Sequence, residues 1–414
     1  MRVAVLGAGV IGVATAYELW RDGHEVVVLD REPGPANGTS FANAGMIAPG
    51  HAYAWSSPKA LRTLARALFR DDLALRFRFQ ADPEFWRWCW RFYRQCTSER
   101  AAANTRRKVA LCLYSQRRLH AVVADTGLAY GGRAGGALYL YRDAAGLTEA
   151  AAKAQILRDQ GVEVRVVTPE EAAAIDPVYE PVRDRFAGAL YAPGDESGDA
   201  RLFTLGLADW LAARGVEFRF GEAVTAIEGG PDRIVTVRTA KGSLPADAYV
   251  LALGCWSAAF GRRLGLDLPV YPIKGYSVTL PIEGRNNPPT LSGVDEDNLF
   301  AFANYGDRVR MTAIAEFAGW DTSHRPQDFA PMLRAAKELF PAAGDYDRPD
   351  YWAGLRPMTP DNLPIFGRGR LANLWVNTGH GHMGWTWACG SGRITADLIA
   401  GRTPEHDVGG LLVH

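Results

Sequence analysis

The 414 residues are enough to bury a large core and to build about two or three domains. With 46 basic and 46 acidic residues the formal net charge is zero, so no global field draws the chain to nucleic acid or to anionic lipid. Five scattered cysteines without a C-x-x-C pair argue against a zinc or disulfide framework and read as reduced thiols of a cytoplasmic protein, and no apolar run reaches the roughly twenty residues that span a bilayer.

The chain begins MRVAVLGAGVIGVATAYELWRDGHEVVVLDRE. Arg2 and the apolar run behind it have the look of a secretory signal, but Gly7, Gly9 and Gly12 interrupt that run and a second Val-rich stretch ends at Asp30. This order predicts a buried strand, a tight turn, a helix and a second strand. Gly7 allows the sharp turn, Gly9 lets a pyrophosphate approach the backbone, and Gly12 lets the helix pack close to the strand. The helix offers its free amides to phosphate, Gly23 stops it, and Asp30 is placed to accept from a ribose hydroxyl. A lone G-x-G-x-x-G is weak, but here it carries its strand, helix and acid, which favours nucleotide binding over a turn without a ligand.

PGPANGTSFANAGMIAPGHAYAWSSP follows and reads as an ordered cofactor loop. Lys59 to His120 reads as helical, and PEFWRWCWRFYRQC stands out within it. Phe85, Trp86, Trp88, Trp90, Phe92 and Tyr93 cover most of that helix and Arg87, Arg91 and Arg94 the remainder. Two readings stand: a basic aromatic surface that touches a membrane, or, favoured, a buried helix of a second domain. GGALYLYRD is a strand, TEAAAKAQILRDQG a helix ended by Gly161, and VEVRVVT another strand. From Arg201 the nucleotide-domain rhythm returns, with FTLGLADWLAARG an amphipathic helix, VEFRF a short strand, further strands through Val237 and AYVLALG a buried run.

LPVYPIKGYSVTLP and LFAFANYGDRVRMTAIAEF then alternate as sheet strands, and APMLRAAKELFP is a helix. NLWVNTGHGHMGWTWACGSGRITADLIAG reads as a strand, a glycine-rich turn and a helix whose N-terminus faces a ligand. The whole predicts an α/β fold: a Rossmann-like nucleotide domain, discontinuous over 1–57, 195–256 and 350–414, with an α+β substrate domain on a mixed sheet over 58–194 and 257–349.

The opening GAGVIG with Asp30, the loop TSFANAGMIAPG, and the runs YPIKGYSVTLP, WAGLRPMTPDNLPIFG and NTGHGHMGWTWACGSG together resemble the bacterial FAD-dependent D-amino-acid dehydrogenases, within the superfamily of glycine oxidase, sarcosine oxidase and D-amino-acid oxidase. The resemblance runs from Met1 to about Gly401. It implies FAD contacts at Gly7, Gly9, Val10, Ile11 and Gly12, at Asp30 and Arg31 beside the adenosine ribose, and at Thr39, Ser40, Asn43 and Ala44 in the loop. Gly45, Met46 and Ile47 would lie against the flavin, Val224 would meet the adenine, and Gly254 and Gly354 would add backbone contacts. Gly379, His380, Gly381, His382, Met383, Gly384, Trp385 and Thr386 would run past the ring.

Arg356, in GLRP, matches the arginine that holds the substrate carboxylate, and a guanidinium suits that task because it makes two parallel charge-assisted bonds. The competing reading pairs it structurally with Asp361. His51, Tyr276 and His382 join Arg356 as catalytic candidates, and Met46, Tyr53, Tyr271, Lys274, Phe300 and Asn304 as pocket candidates; for Tyr271, Lys274 and Tyr276 a plain place in a strand competes equally. Met358 stands where covalent-flavin relatives have a cysteine, so noncovalent FAD is expected, with no metal. Phe300 replaces a substrate-side tyrosine of glycine oxidase, and His382 a substrate-side arginine.

The implied activity is oxidation of a D-amino acid to a 2-oxo acid and ammonia by hydride transfer from Cα to FAD, with electrons passed to a quinone or another respiratory acceptor and with peripheral contact to the inner membrane. Alternatives are an oxidase or dehydrogenase of glycine, sarcosine or a cyclic imino acid such as proline, and a non-catalytic FAD-binding subunit. A nicotinamide enzyme is a third, against which the turn TGHGHMGWT argues.

Overall fold

The computed structural model describes residues 1–67 and 75–413. Its smaller main sheet has six strands in the order Ile365–Arg368, Leu374–Thr378, Ala248–Leu251, Arg2–Leu6, Glu25–Leu29 and Glu217–Arg219. All neighbours are parallel except the first pair. The opening apolar run is therefore a central strand, and Val3, Val5 and Leu6 are wholly buried, as a strand covered on both faces requires. The helices Val10–Arg21, Ala200–Ala212 and Gly384–Ile399 cover one face through Tyr17, Phe203, Leu207 and Trp385. A three-stranded antiparallel sheet of Val224–Gly229, Ile234–Thr239 and Gly242–Leu244 covers the other through Ile234, Val237 and Leu244.

The larger sheet has nine strands. Eight follow the order Asp350–Met358, Tyr271–Pro281, Arg308–Phe317, Phe300–Asn304, Ser292–Asp295, Ala137–Tyr141, Gly188–Ala192 and Arg165–Val167, and Leu75–Phe77 pairs with Arg308–Phe317. One face buries Tyr276, Val278, Phe300 and Phe302 against Phe329, Met332 and Leu339. From the other, Tyr139, Val294 and Ala301 meet Val109 and Leu111 of the helix Ser98–Thr126 and Met383 and Trp387 of the C-terminal turn and helix. Alternation along each strand assigns the two faces, and the second face is the one turned to the nucleotide layer.

Two expectations change. Asp350–Met358 is hydrogen-bonded residue by residue to Tyr271–Thr279, so we propose that 350–358 be counted with the larger sheet and that the last nucleotide-domain segment begin after Met358. The stretch from Lys59 to His120 is not continuously helical. It holds the helices Pro58–Ala67, Pro83–Gln95 and Ser98–Thr126 and the strand Leu75–Phe77, and its residues 68–74 lie outside the described residues. Asp82 and Thr97 each accept from a first-turn amide, so local capping starts two new helices where the apolar spacing alone ran on.

The two layers are tied near residue 356. Thr39 Oγ1 donates to the Leu355 carbonyl (2.6 Å), Trp88 Nε1 to the Met358 carbonyl (2.9 Å), and Met358 bridges to His380.

Candidate functional site

The turn after the first strand is held by the carboxylate that ends the second. Asp30 accepts from the Ala8 amide at 2.6 Å and from the Glu32 amide at 3.0 Å, while burial pushes its carboxyl upward. A Cβ at Gly12 would stand 1.8 Å from the Gly7 carbonyl oxygen, so this glycine is fixed by protein packing. Gly9 differs, because a Cβ there would meet only Ser40 Oγ, at 3.4 Å. The protein does not fill the space over Gly9, the helix behind it has no side-chain cap, and its first turn carries no acid. That is the cradle a pyrophosphate needs, so the residues present fit a dinucleotide. Val10 donates to Ser40 Oγ (3.1 Å), and the Arg31 guanidinium lies over the Trp256 ring beyond Gly254.

The loop that follows reaches the C-terminal turn. Asn43 accepts from the Gly45 amide, Met46–Ile47 pairs with Glu196–Ser197, and Thr386 Oγ1 donates to the Met46 carbonyl (3.2 Å). Gly45 lies against Tyr305, whose buried hydroxyl has no partner. Gly379, Gly381 and Gly384 bracket the turn, and a Cβ at Gly381 would press on Met358. Ala44 and Trp385 lie in these same two segments, Ile11 lies in the first turn of the helix Val10–Arg21, and Val224 starts its strand and is partly buried.

Arg356 is the centre of the other half. Its guanidinium folds over Gly275, where a Cβ would come within 2.4 Å of Cζ, and Nη1 donates to the Ile314 carbonyl at 3.0 Å. Ile314 has φ 65°, strained for a β-branched residue, at a bulge between the pairings of Lys274 and Tyr276. The strain turns that carbonyl toward the guanidinium. Among the described residues no carboxylate pairs with Arg356; burial pushes it down to about 10, which leaves it charged at neutral pH. Asp361 is instead engaged by the Leu363 amide, so the structural pairing with Arg356 is not made.

His382 faces it, and Lys108 and His51 face His382 in turn. The His51 ring stacks on Tyr139, and its Nε2 is 2.6 Å from Glu296. Burial alone would raise the Glu296 carboxyl, but His51, Lys153 and Lys59 hold it below the usual range. His382 stacks on Trp55 at 4.3 Å, and burial, with Lys108, Arg356 and His51 adding, drives it well below the usual histidine range. His380 is different: its Nε2 meets Ser391 Oγ at 2.9 Å, and burial pushes it down to about 3, so its side chain is a neutral packing group.

Several expected pocket residues point elsewhere. Ile273 pairs with Arg356 and Lys274 with Leu355, so Lys274 and Tyr276 leave the opposite face of the sheet from Arg356. Both meet Glu316 there, wholly buried. Tyr271 packs on Phe85 and Trp88. Phe300 is buried beside Phe302, and Asn304 Nδ2 donates to the Pro289 carbonyl. Alternation gives the place expected for Phe300 to Ala301, which packs with Met46 and Tyr53 against the cluster of Tyr139, Met383 and Trp387. Lys108, Glu296, Trp55, Ala301 and Asp195 were missed. Asn104, Lys108 and Cys112, at four-residue spacing on one inward face, offered the one readable sign. Asp195, which accepts from Tyr139 and from the Gly50 amide and which burial pushes up to about 7, had none.

The comparisons agree with this architecture. The chain is 45% identical over 413 residues to D-amino acid dehydrogenase 2 of Mesorhizobium japonicum, covering 100% of this chain and 99% of the relative. It is 44% identical to D-amino acid dehydrogenase of Paramagnetospirillum magneticum, covering 99% and 98%. The fold matches glycine oxidase from Geobacillus kaustophilus with a TM-score of 0.78 at 23% identity, over 100% and 98% of the two chains. It matches L-proline dehydrogenase from P. horikoshii with a TM-score of 0.75 at 19% identity, over 98% and 95%. The profile of the FAD dependent oxidoreductase family (DAO) matches residues 2–398. The protein belongs to this family of FAD-dependent oxidoreductases, and FAD is its cofactor.

Proposed function

We propose that this enzyme oxidises D-amino acids to 2-oxo acids with release of ammonia, and passes the electrons to a quinone or another acceptor that is not oxygen. The observation that carries the reading is the charged, partly buried guanidinium of Arg356, which no carboxylate among the described residues neutralises. A substrate carboxylate supplies the missing charge through two parallel bonds. The substrate class follows the names of the relatives at 44% and 45% identity.

FAD, when bound, supplies acceptance of two electrons from the Cα–H bond of an amine. Gly9 and the free helix amides behind it would hold the pyrophosphate, and the loop through Gly45–Ile47 with the turn through Thr386 would hold the ring. Arg356 fixes the carboxylate; Met46, Tyr53 and Ala301 form the wall that receives the side chain and excludes water. The amine reacts as its free base, and the Arg356 guanidinium, charged at neutral pH, disfavours an ammonium beside it. Met358 is wholly buried, and burial pushes the nearby Cys255 thiol far up, which leaves no reactive thiolate beside the site and supports noncovalent FAD. Acid precipitation then releases the yellow colour into the supernatant.

For the acceptor, the helix Pro83–Gln95 serves both sequence readings. Phe85, Trp88 and Phe92 are buried, whereas Trp86, Trp90 and Tyr93 are exposed beside Arg87 and Arg94. That stripe supports peripheral docking at a lipid surface, and no helix among the described residues is long and apolar enough to cross a membrane. The deciding experiment mixes the holoenzyme anaerobically with D- and L-amino acids. The flavin absorbance falls with the D-isomers, and dyes or quinones restore it faster than oxygen. Reduction by glycine, sarcosine or proline alone would replace this reading, and a flavin that no amine reduces would leave only a binding subunit.

A further inference from the structure

The helix Ser98–Thr126 carries a buried amine that the reaction as described does not use. Lys108 is 0% exposed, between Asn104 and Cys112 on the inward face of the helix. Its Nζ donates to the Tyr53 carbonyl at 2.6 Å and lies 3.3 Å from His382 Nε2. We propose that Lys108 is a positioning residue for the substrate pocket: through Nε2 it fixes the His382 ring in one tautomer, with the proton on Nδ1. The inference rests on the reading of the surroundings of Arg356 as that pocket.

The argument is one of donors and acceptors. An ammonium has three donors and no acceptor, so a ring nitrogen beside it must offer its lone pair. Nε2 then carries no proton, and a neutral imidazole holds its single proton on Nδ1. The stack on Trp55 at 15° sets the plane of the ring, and the lysine decides which nitrogen donates. A second proton on the ring is disfavoured from every side, because burial comes first and Lys108, Arg356 and His51 all face it. The titratable groups facing Lys108 are Cys112, Lys153 and His382, with the Trp387 ring 5.8 Å away. None of these is a carboxylate, and burial pushes the amine down to about 7. Below that pH the ammonium enforces the Nδ1–H form; above it the free amine accepts as well as donates, and the constraint relaxes. The product is one N–H donor of fixed position close to Arg356, which strengthens substrate binding.

The test uses the FAD-loaded protein with 15N-labelled histidine. The His382 signals are assigned by their loss in His382→Gln. At pH 6 the wild type should show Nε2 without a proton and Nδ1 with one, and Lys108→Met, which keeps the length of the side chain, should show mixed tautomers. In kinetics, Lys108→Met should lower kcat/KM for D-amino acids about tenfold, mainly through KM. In a His382→Gln background the same change should cost less than about twofold, as coupled residues require. An unchanged tautomer in Lys108→Met, or losses that simply multiply in the double variant, would overturn the proposal. If Lys108→Met does not fold, the wild-type signals decide alone, since a proton on Nε2 at pH 6 refutes it. A flavin that no D-amino acid reduces would remove the substrate reading while leaving the imidazole signals to judge Lys108.

Discussion

Lys274 and Arg356 sit one register step apart on the same antiparallel pair of strands, the first wholly and the second partly buried, and the sheet sends them to opposite faces. Lys274 meets Glu316 at 3.7 Å, and Tyr276 and Arg78 meet the same carboxylate. Its charge is neutralised inside the fold. Among the described residues Arg356 meets only the backbone carbonyls of Ile314 and Lys274. A cation drawn even partly out of water without an anion is costly, and a chain that keeps one while pairing the cation one register step away has left a position for an anion from outside. The paired cation belongs to the core of the larger sheet, and the unpaired one to the ligand.

The largest effect expected from breaking this contrast is on stability. Glu316→Ala leaves Lys274 buried and uncompensated and should cost about 3 to 5 kcal/mol, read from chemical denaturation of the FAD-loaded protein. Arg356→Ala should cost less than about 1 kcal/mol in the same assay, because it removes a charge with no partner. Equal losses in both variants would erase the distinction between the two cations.

Arg356→Ala should instead act on turnover. Loss of the bidentate contact should lower kcat/KM by roughly 30- to 1000-fold, about 2 to 4 kcal/mol, with FAD still bound. Arg356→Lys should recover only part, since a point charge replaces a planar fork. An amino amide, lacking the negative charge, should already be poor and lose much less. Near-normal kinetics, or loss of FAD, would withdraw Arg356 as the carboxylate anchor.

The nucleotide half was the legible half. Gly7, Gly9, Gly12 and Asp30 lie within thirty residues of one another, so strand, turn and helix follow from local spacing. Arg356 was a candidate from its motif alone, and its neighbours come from distant segments. Phe300 and Ala301 are adjacent, and only the pairing of Phe300–Asn304 with Arg308–Phe317 settles that Ala301 faces Met46 and Tyr53. A one-residue error reverses the face, which is why Phe300, Lys274 and Tyr276 were misplaced together. Lys108 lay in a helix of the expected kind, yet its aim at His382 depends on how that helix docks.

The smallest effect sharpens a third solution to the same problem. His380, like Arg356, has no carboxylate partner among the described residues, but it is more deeply buried and a weaker base and gives up its proton, at about 3 against an ordinary 6.5. The unfolded chain binds a proton at His380 as pH falls through about 6.5, while the folded protein refuses it until about 3. Over that window the unfolded state holds more protons, so the contribution of this histidine to stability is complete above about 6.5 and falls as the solution is acidified. His380→Gln cannot titrate and should still reach Ser391. Its stability relative to wild type should therefore improve by about 2 kcal/mol between pH 7 and pH 5, at the slope of one proton per molecule. Urea midpoints at the two pH values measure this directly. A difference that stays constant would mean that His380 is protonated in the fold after all, and the rule that an uncompensated buried base stays neutral unless, like Arg356, it is too strong to do so would lose its control.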